Sequence, residues 1–211
     1  LENAPADLDA LRASEIEGET VEAVVTDAIH TLGENIQLAR FAYSLQPEGA
    51  VASYVHGVGK IGVLVDFKLG DASFATNDAF KTYGRDIAMQ VAAMSPAYLD
   101  EASVPADVVE KERVINLAQM NEDPKMANKP EQVKAKIIEG KIKKFYTEVC
   151  LLDQTFVRSD LFDGSVSGYV AQVAKEIGAD IKVTGFVRLA KGEGIEKRVD
   201  DFAAEVAGMV K

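Results

Sequence analysis

The sequence predicts an α+β fold: an antiparallel sheet covered by helices, with a projecting antiparallel helical hairpin and a C-terminal helix. Three stretches predict it. The first is Gly33 to Lys68, where Ile61, Val63, Val65 and Phe67 alternate with Gly62, Leu64, Asp66 and Lys68 and place one apolar row on one sheet face. The second runs from Phe80 to Met94, where Phe80, Tyr83, Ile87, Val91 and Met94 share one helical stripe that can cover that face. The third, Val104 to Phe145, holds two charged helices separated by Asn121 to Lys129.

Within the first stretch, runs at Ile36–Leu45, Ala50–His56 and Ile61–Lys68 read as three consecutive strands. Gln46-Pro47-Glu48-Gly49 and Gly57-Val58-Gly59 supply the turns between them. Gaps this short fit antiparallel neighbours, because a parallel pair needs a crossover of roughly a dozen residues. Upstream, Val21, Val24, Val25, Ile29 and Leu32 predict a helix over Ser14–Leu32, stopped at Gly33. His30 falls in its last turn, where the carbonyl end of a helix favours positive charge, and a helix-end role is preferred to a catalytic one. Thr76, Asn77 or Asp78 caps the helix that follows the strands, and Ser95-Pro96 ends it.

In the charged pair, Pro105 and Pro130 signal the two starts. Val108, Val109, Leu117 and Met120 mark one apolar edge, and Val133, Ile137, Ile138, Ile142 and Phe145 the other. These stripes are broader than one partner helix can cover, which favours an arm packing against another chain over a helical layer of the same core. Thr147–Arg158 reads as extended, with Cys150 a buried small apolar residue. Ser165–Ile177 reads as an amphipathic helix stopped by Gly178, Ile181–Leu189 as a strong strand, and Val199–Met209 as a short helix that must dock to be stable. The resulting division is 1–33, 34–103, 104–146 (the arm), 147–191 and 192–211.

Composition narrows the function. A formal charge of −11 over 211 residues opposes phosphate backbones and anionic lipid, so neither nucleic acid nor membrane is an expected partner. One cysteine permits no internal disulfide, and a reducing, cytoplasmic setting is expected. No apolar run reaches the roughly 20 residues that span a bilayer. The chain opens on Leu1, which suggests a fragment of something longer. His30, His56 and Cys150 fall in no metal-ligand spacing. The HGVGKI run lacks the Ser or Thr that a phosphate loop needs after its lysine, since Ile61 follows Lys60, and a hairpin turn explains its glycines better. The carboxylates lie on helix faces, where solvated charge is the default. No catalytic group and no cofactor is expected; the pattern is that of a surface-contact protein.

Several segments resemble the elongation factor Ts family, the guanine-nucleotide exchange factors for elongation factor Tu: GENIQLAR, YVHGVGKIGVLVDF, DIAMQVAAMSPAYL, VPADVVEKE, IEGKIKKFYTEVCLLDQTFV, VTGFVRLAKGEGIEK and DFAAEVAGMVK. They run in order from Gly33 to Lys211. The resemblance implies an α/β core of two related subdomains, a hairpin used for dimerisation, a C-terminal helical module, and elongation factor Tu as partner. The family's contact glycine in the Gly-Glu-Asn-Ile motif matches Gly33, and its strand-end histidine matches His56. Without the family, His56 reads as a strand-end histidine satisfied by backbone. The contact loop after the hairpin matches Val157 and Arg158, although the family commonly has an apolar residue at the latter position. The terminal helix around Phe202 and Val206 would dock on the partner or on the core. Two family features have no match in residues 1–211: a small N-terminal three-helix domain, and a Thr-Asp-Phe-Val motif whose Phe wedges into Tu. Weak binding and poor exchange are therefore expected of this stretch alone. The contrasting expectation is a dimeric scaffold without effect on nucleotide; a small-molecule enzyme has no candidate residues.

Overall fold

The computed structural model describes residues 4–194. In chain order these are α1 (Leu8–Ala13), β1 (Glu15–Ile16), β2 (Glu19–Thr20), α2 (Val21–Leu32), β3 (Gly49–His56), β4 (Ile61–Leu69), α3 (Asp78–Met94), α4 (Ala106–Glu122), α5 (Pro124–Ala127), α6 (Glu131–Val149), α7 (Val166–Ile177) and β5 (Ile181–Ala190). The predicted C-terminal helix, with Phe202 and Val206, lies outside the described residues.

The main sheet has the order β3-β4-β5, antiparallel throughout. Its central strand β4 sends Val63, Val65, Phe67 and Leu69 inward, all buried, as the alternation requires. Helix α3 covers that face with Phe80, Tyr83, Ile87 and Val91. Met94, the last residue of the expected stripe, is exposed where the helix leaves the sheet. Close approach of helix to sheet depends on Gly84, since a Cβ there would stand 2.9 Å from the Cβ of Ala52 on β3. Phe67 meets Phe80 and Tyr83 edge-on, with ring centroids 5.3 and 5.6 Å apart, the orientation the aromatic quadrupole favours. Helix α7 adds Val166, Tyr169, Val170 and Val173 to the same core.

Three expectations need correction. Ile36–Leu45 is not a strand, and the third place in the sheet belongs to β5. This segment is tied by side chains rather than by a ladder: Ser44 Oγ donates to Asp66 on the outer face of β4 (2.5 Å), and Arg40 donates to the carbonyl of Ala190 (3.1 Å). The helix expected from Ser14 begins only at Val21, capped by the Thr20 hydroxyl (3.1 Å). Glu17 and Gly18, both at positive φ, instead turn the chain between β1 and β2. Finally, Thr147–Arg158 is not extended. Helix α6 continues through Val149, and 150–158 is an irregular segment joined to the core at Tyr98 and Ser165.

The arm is a true hairpin. Helices α4 and α6 pack on each other around Met120, Ile138 and Ile142, a cluster separate from the main core. Arg113 and Glu139 pair across it. Pro105 and Pro130 sit just before their helices, at the N-cap, rather than inside the first turn. Val114, Ile115, Leu117 and Val133 remain exposed along its outside.

Candidate partner-binding surface

His56 ends β3, and residues 57–59 turn the chain into β4 with three consecutive positive φ angles. Lys60 N–H closes the turn on the His56 carbonyl (2.9 Å). This is the hairpin turn expected in place of a phosphate loop. Glycine adopts the left-handed conformation freely at 57 and 59, whereas Val58 adopts it at φ 55° as a β-branched residue. Val58 is also fully exposed. The sequence gives Val58 no distinction beyond its flanking glycines. The His56 ring is exposed and no backbone group among the described residues satisfies it; its Nδ1 lies 3.0 Å from the Tyr54 hydroxyl two residues back on the same strand face. Arg85 of α3 stands 6.0 Å over the Tyr54 ring, at the outer reach of a cation–π contact.

The second element is the loop that carries Val157 and Arg158. Val157 is 40% exposed, an apolar side chain left in solvent beside the buried Phe156. The backbone beneath it is held from α3: Val157 N–H donates to Gln90 Oε1 (2.8 Å), and Gln90 Nε2 donates to the Thr155 carbonyl (3.1 Å) and to Gln154 Oε1 (3.1 Å). Gln154 in turn donates to the Glu148 carbonyl in the last turn of α6 (3.0 Å). Arg158 donates to Asp160 (2.7 Å) and to Asp86 of α3 (3.2 Å), and Tyr169 donates its hydroxyl to the other Asp86 oxygen (3.1 Å). Asp160, and behind it Asp86, hold the Arg158 guanidinium above its ordinary range. Burial, with Asp86 beside it, pushes the Tyr169 phenol well above its own.

Gly33 terminates α2 in the left-handed conformation (φ 70°), its N–H donating to Ile29. Among the described residues nothing lies within 4 Å of where its Cβ would stand. His30 lies in the last turn of that helix, as expected. The structure therefore ties the Val157–Arg158 loop directly to α3, whereas His56 approaches that helix only through Tyr54 and Gly33 lies on a separate one. Phe202 and Val206 fall outside the described residues.

Among the described residues no group of three His, Cys, Asp or Glu side chains could hold a metal ion. No helix among them is long and apolar enough to cross a membrane. Cys150 is fully buried, and burial, with Asp153, Glu101 and Asp100 nearby, pushes its thiol up to about 11. What the surface offers is contact: an exposed histidine at a hairpin tip, an apolar residue on a clamped loop, and a stripe along the arm.

The family model for Elongation factor TS matches residues 1–193. Elongation factor Ts of Syntrophotalea carbinolica is 46% identical over 209 residues, covering 98% of this chain. The factor of Trichlorobacter lovleyi is 40% identical over 210 residues, also 98% of the chain. That of Bdellovibrio bacteriovorus is 45% identical over 187 residues, 88% of the chain. The chain spans 66% of the length of the first two relatives and 59% of the third. With a family match that takes in the His56 turn, the arm and the Val157 loop alike, the chain belongs to the elongation factor Ts family.

Proposed function

We propose that the protein is a guanine-nucleotide exchange factor for elongation factor Tu, working in the cytoplasm during translation elongation. The observation that carries this reading is the family match over residues 1–193, which includes both the His56 turn and the Val157–Arg158 loop. An exchange factor makes and breaks no covalent bond. It binds the nucleotide-free GTPase more tightly than the GDP-bound one, and linkage then weakens GDP binding by the same factor. A protein binding both states equally shifts nothing. The useful target is the set of GTPase elements that hold Mg²⁺ and the phosphates. His56, presented at the end of β3, presses on the GTPase domain, with Gly33 admitting close backbone approach. Val157 and Arg158 meet a second domain of Tu. Phe202 and Val206 supply the terminal contact.

The exposed Val114, Ile115, Leu117 and Val133 favour a second activity of the same chain, pairing of two arms into a homodimer. A pure scaffold would stop there. Stopped-flow release of a fluorescent GDP analogue from Tu separates the two readings. Exchange predicts release accelerated in proportion to added protein and reduced by His56→Ala, whereas a scaffold leaves the rate unchanged.

A further inference from the structure

Loops that meet partners are ordinarily surface segments of low local stability. The 155–158 loop is built differently. Its backbone is hydrogen-bonded from below by Gln90, which has no exposed surface, and its arginine is held by Asp86, which is 3% exposed. Both residues lie on α3, four apart, so they share one face of the helix. A polar side chain on the buried face of a core helix is costly unless its hydrogen-bonding groups are matched. Here they are. Gln90 uses both amide hydrogens and its oxygen, and each oxygen of Asp86 accepts one bond. Simple packing would have been served equally well by leucine at either place. The outputs of the network fall on one short segment, with Thr155 and Val157 held through backbone and Arg158 through its side chain, and it rigidifies that segment. Gln154 extends it to the end of α6, so the base of the arm is held in the same frame.

We propose that Asp86 and Gln90 are positioning residues: they hold the 155–158 loop in the conformation that meets the partner, so that Val157 and Arg158 are presented without an ordering cost on binding. This rests on the exchange-factor reading for the identity of the partner, but the conformational part is measurable without one. Asp86→Asn keeps the shape and removes the charge; Gln90→Met keeps the volume and removes the three hydrogen bonds. Thermal unfolding of each variant checks that the fold is retained. Amide hydrogen exchange on the free chain should then show Val157 exchanging about tenfold faster or more in Gln90→Met, with β4 still protected.

Affinity for nucleotide-free Tu should fall on the order of fivefold in Asp86→Asn. That loss should vanish when Asp86→Asn is made in an Arg158→Ala background, because the carboxylate acts through the guanidinium. Unchanged exchange at Val157 overturns the proposal, and so does an Asp86→Asn effect of equal size with and without Arg158. Should Val157→Ser and Arg158→Ala both leave Tu affinity unchanged while the exchange result holds, the loop is clamped but is no contact. That outcome defeats the partner assignment of the loop, and the positioning role with it, in a way the exchange data alone would not.

Discussion

The sheet-and-helix core and the helical arm are stabilised on different scales. The core interlocks eighteen buried side chains drawn from β4, β5, α3, α7 and the segment after α6, with Phe67, Phe80 and Tyr83 in mutual aromatic contact. The arm rests on three, Met120, Ile138 and Ile142, and on cross-hairpin charge such as Arg113–Glu139. It also leaves Val114 and Ile115 in solvent. Hydrophobic stabilisation follows apolar area removed from water, so the core can stand as a platform while the arm gains from a second surface. Both candidate contact elements, the His56 turn at the end of β3 and the Val157–Arg158 loop, sit on the core side.

Truncations on the two sides should differ accordingly. Phe67→Ala should cost about 3–5 kcal/mol and loosen the whole sheet, because a fully buried aromatic at the centre of the cluster leaves a cavity its neighbours cannot fill. Ile142→Ala should cost about 2 kcal/mol, at the low end for its type, since the thin arm can close around the gap. Urea denaturation gives the sizes, and native-state hydrogen exchange gives the extent. The comparison is broken if Ile142→Ala lowers protection in β4 as much as in α4 and α6.

The joint between the two regions sharpens it. Cys150 and Leu151 follow directly on α6 yet are fully buried, and Leu151 and Leu152 N–H donate to Tyr98 and Leu99. The joint therefore belongs to the core. With its thiol pushed up to about 11, only about one part in a thousand is thiolate at pH 8, and the thiolate is the reactive form. Native protein should leave a thiol-reactive disulfide reagent unconsumed at pH 8 and react fully in 8 M urea. Ready labelling of the folded chain would show that the joint opens with the arm.

A smaller effect is expected beside it. Burial, with Glu101 and Asp100 nearby, raises the Asp153 carboxyl above its ordinary value, and its buried Oδ2 has no hydrogen-bond partner among the described residues. A carboxyl whose folded pKa lies above its unfolded one favours the folded state while protonated. Its contribution is full below the unfolded value and falls as the pH rises through the folded one. Asp153→Asn should therefore raise the Tm slightly at pH 7, and the gain should shrink as the pH is lowered towards 4.

Much of this was legible in the sequence, and the exceptions share a cause. Elements with one buried face announce themselves by period, as β4 does through Val63, Val65 and Phe67, and α3 through Phe80, Tyr83, Ile87 and Val91. Ile36–Leu45 has the residue types of a strand, but its place is set by Ser44 on Asp66 and Arg40 on Ala190, which no periodicity records. The same holds for 150–158, whose form comes from Tyr98 and Leu99 at its start and from Gln90 and Asp86 at its end, all far away in the chain. A signal for Gln90 and Asp86 did exist. Gln90 lies seven residues after Tyr83 and three after Ile87, inside an apolar stripe, and Asp86 lies three after Tyr83; a polar residue at a core position marks something it must bond. Of the candidate contacts, Gly33 and His56 were carried by family resemblance, whereas Val58 and the Tyr54 tether of His56 emerge only from the turn geometry.

The most direct test of the account is the affinity of the purified protein for elongation factor Tu with and without guanosine diphosphate, measured by titration calorimetry under one set of conditions. Preferential grip on the empty GTPase predicts binding on the order of tenfold or more tighter without nucleotide. Equal affinity for the two forms would contradict it.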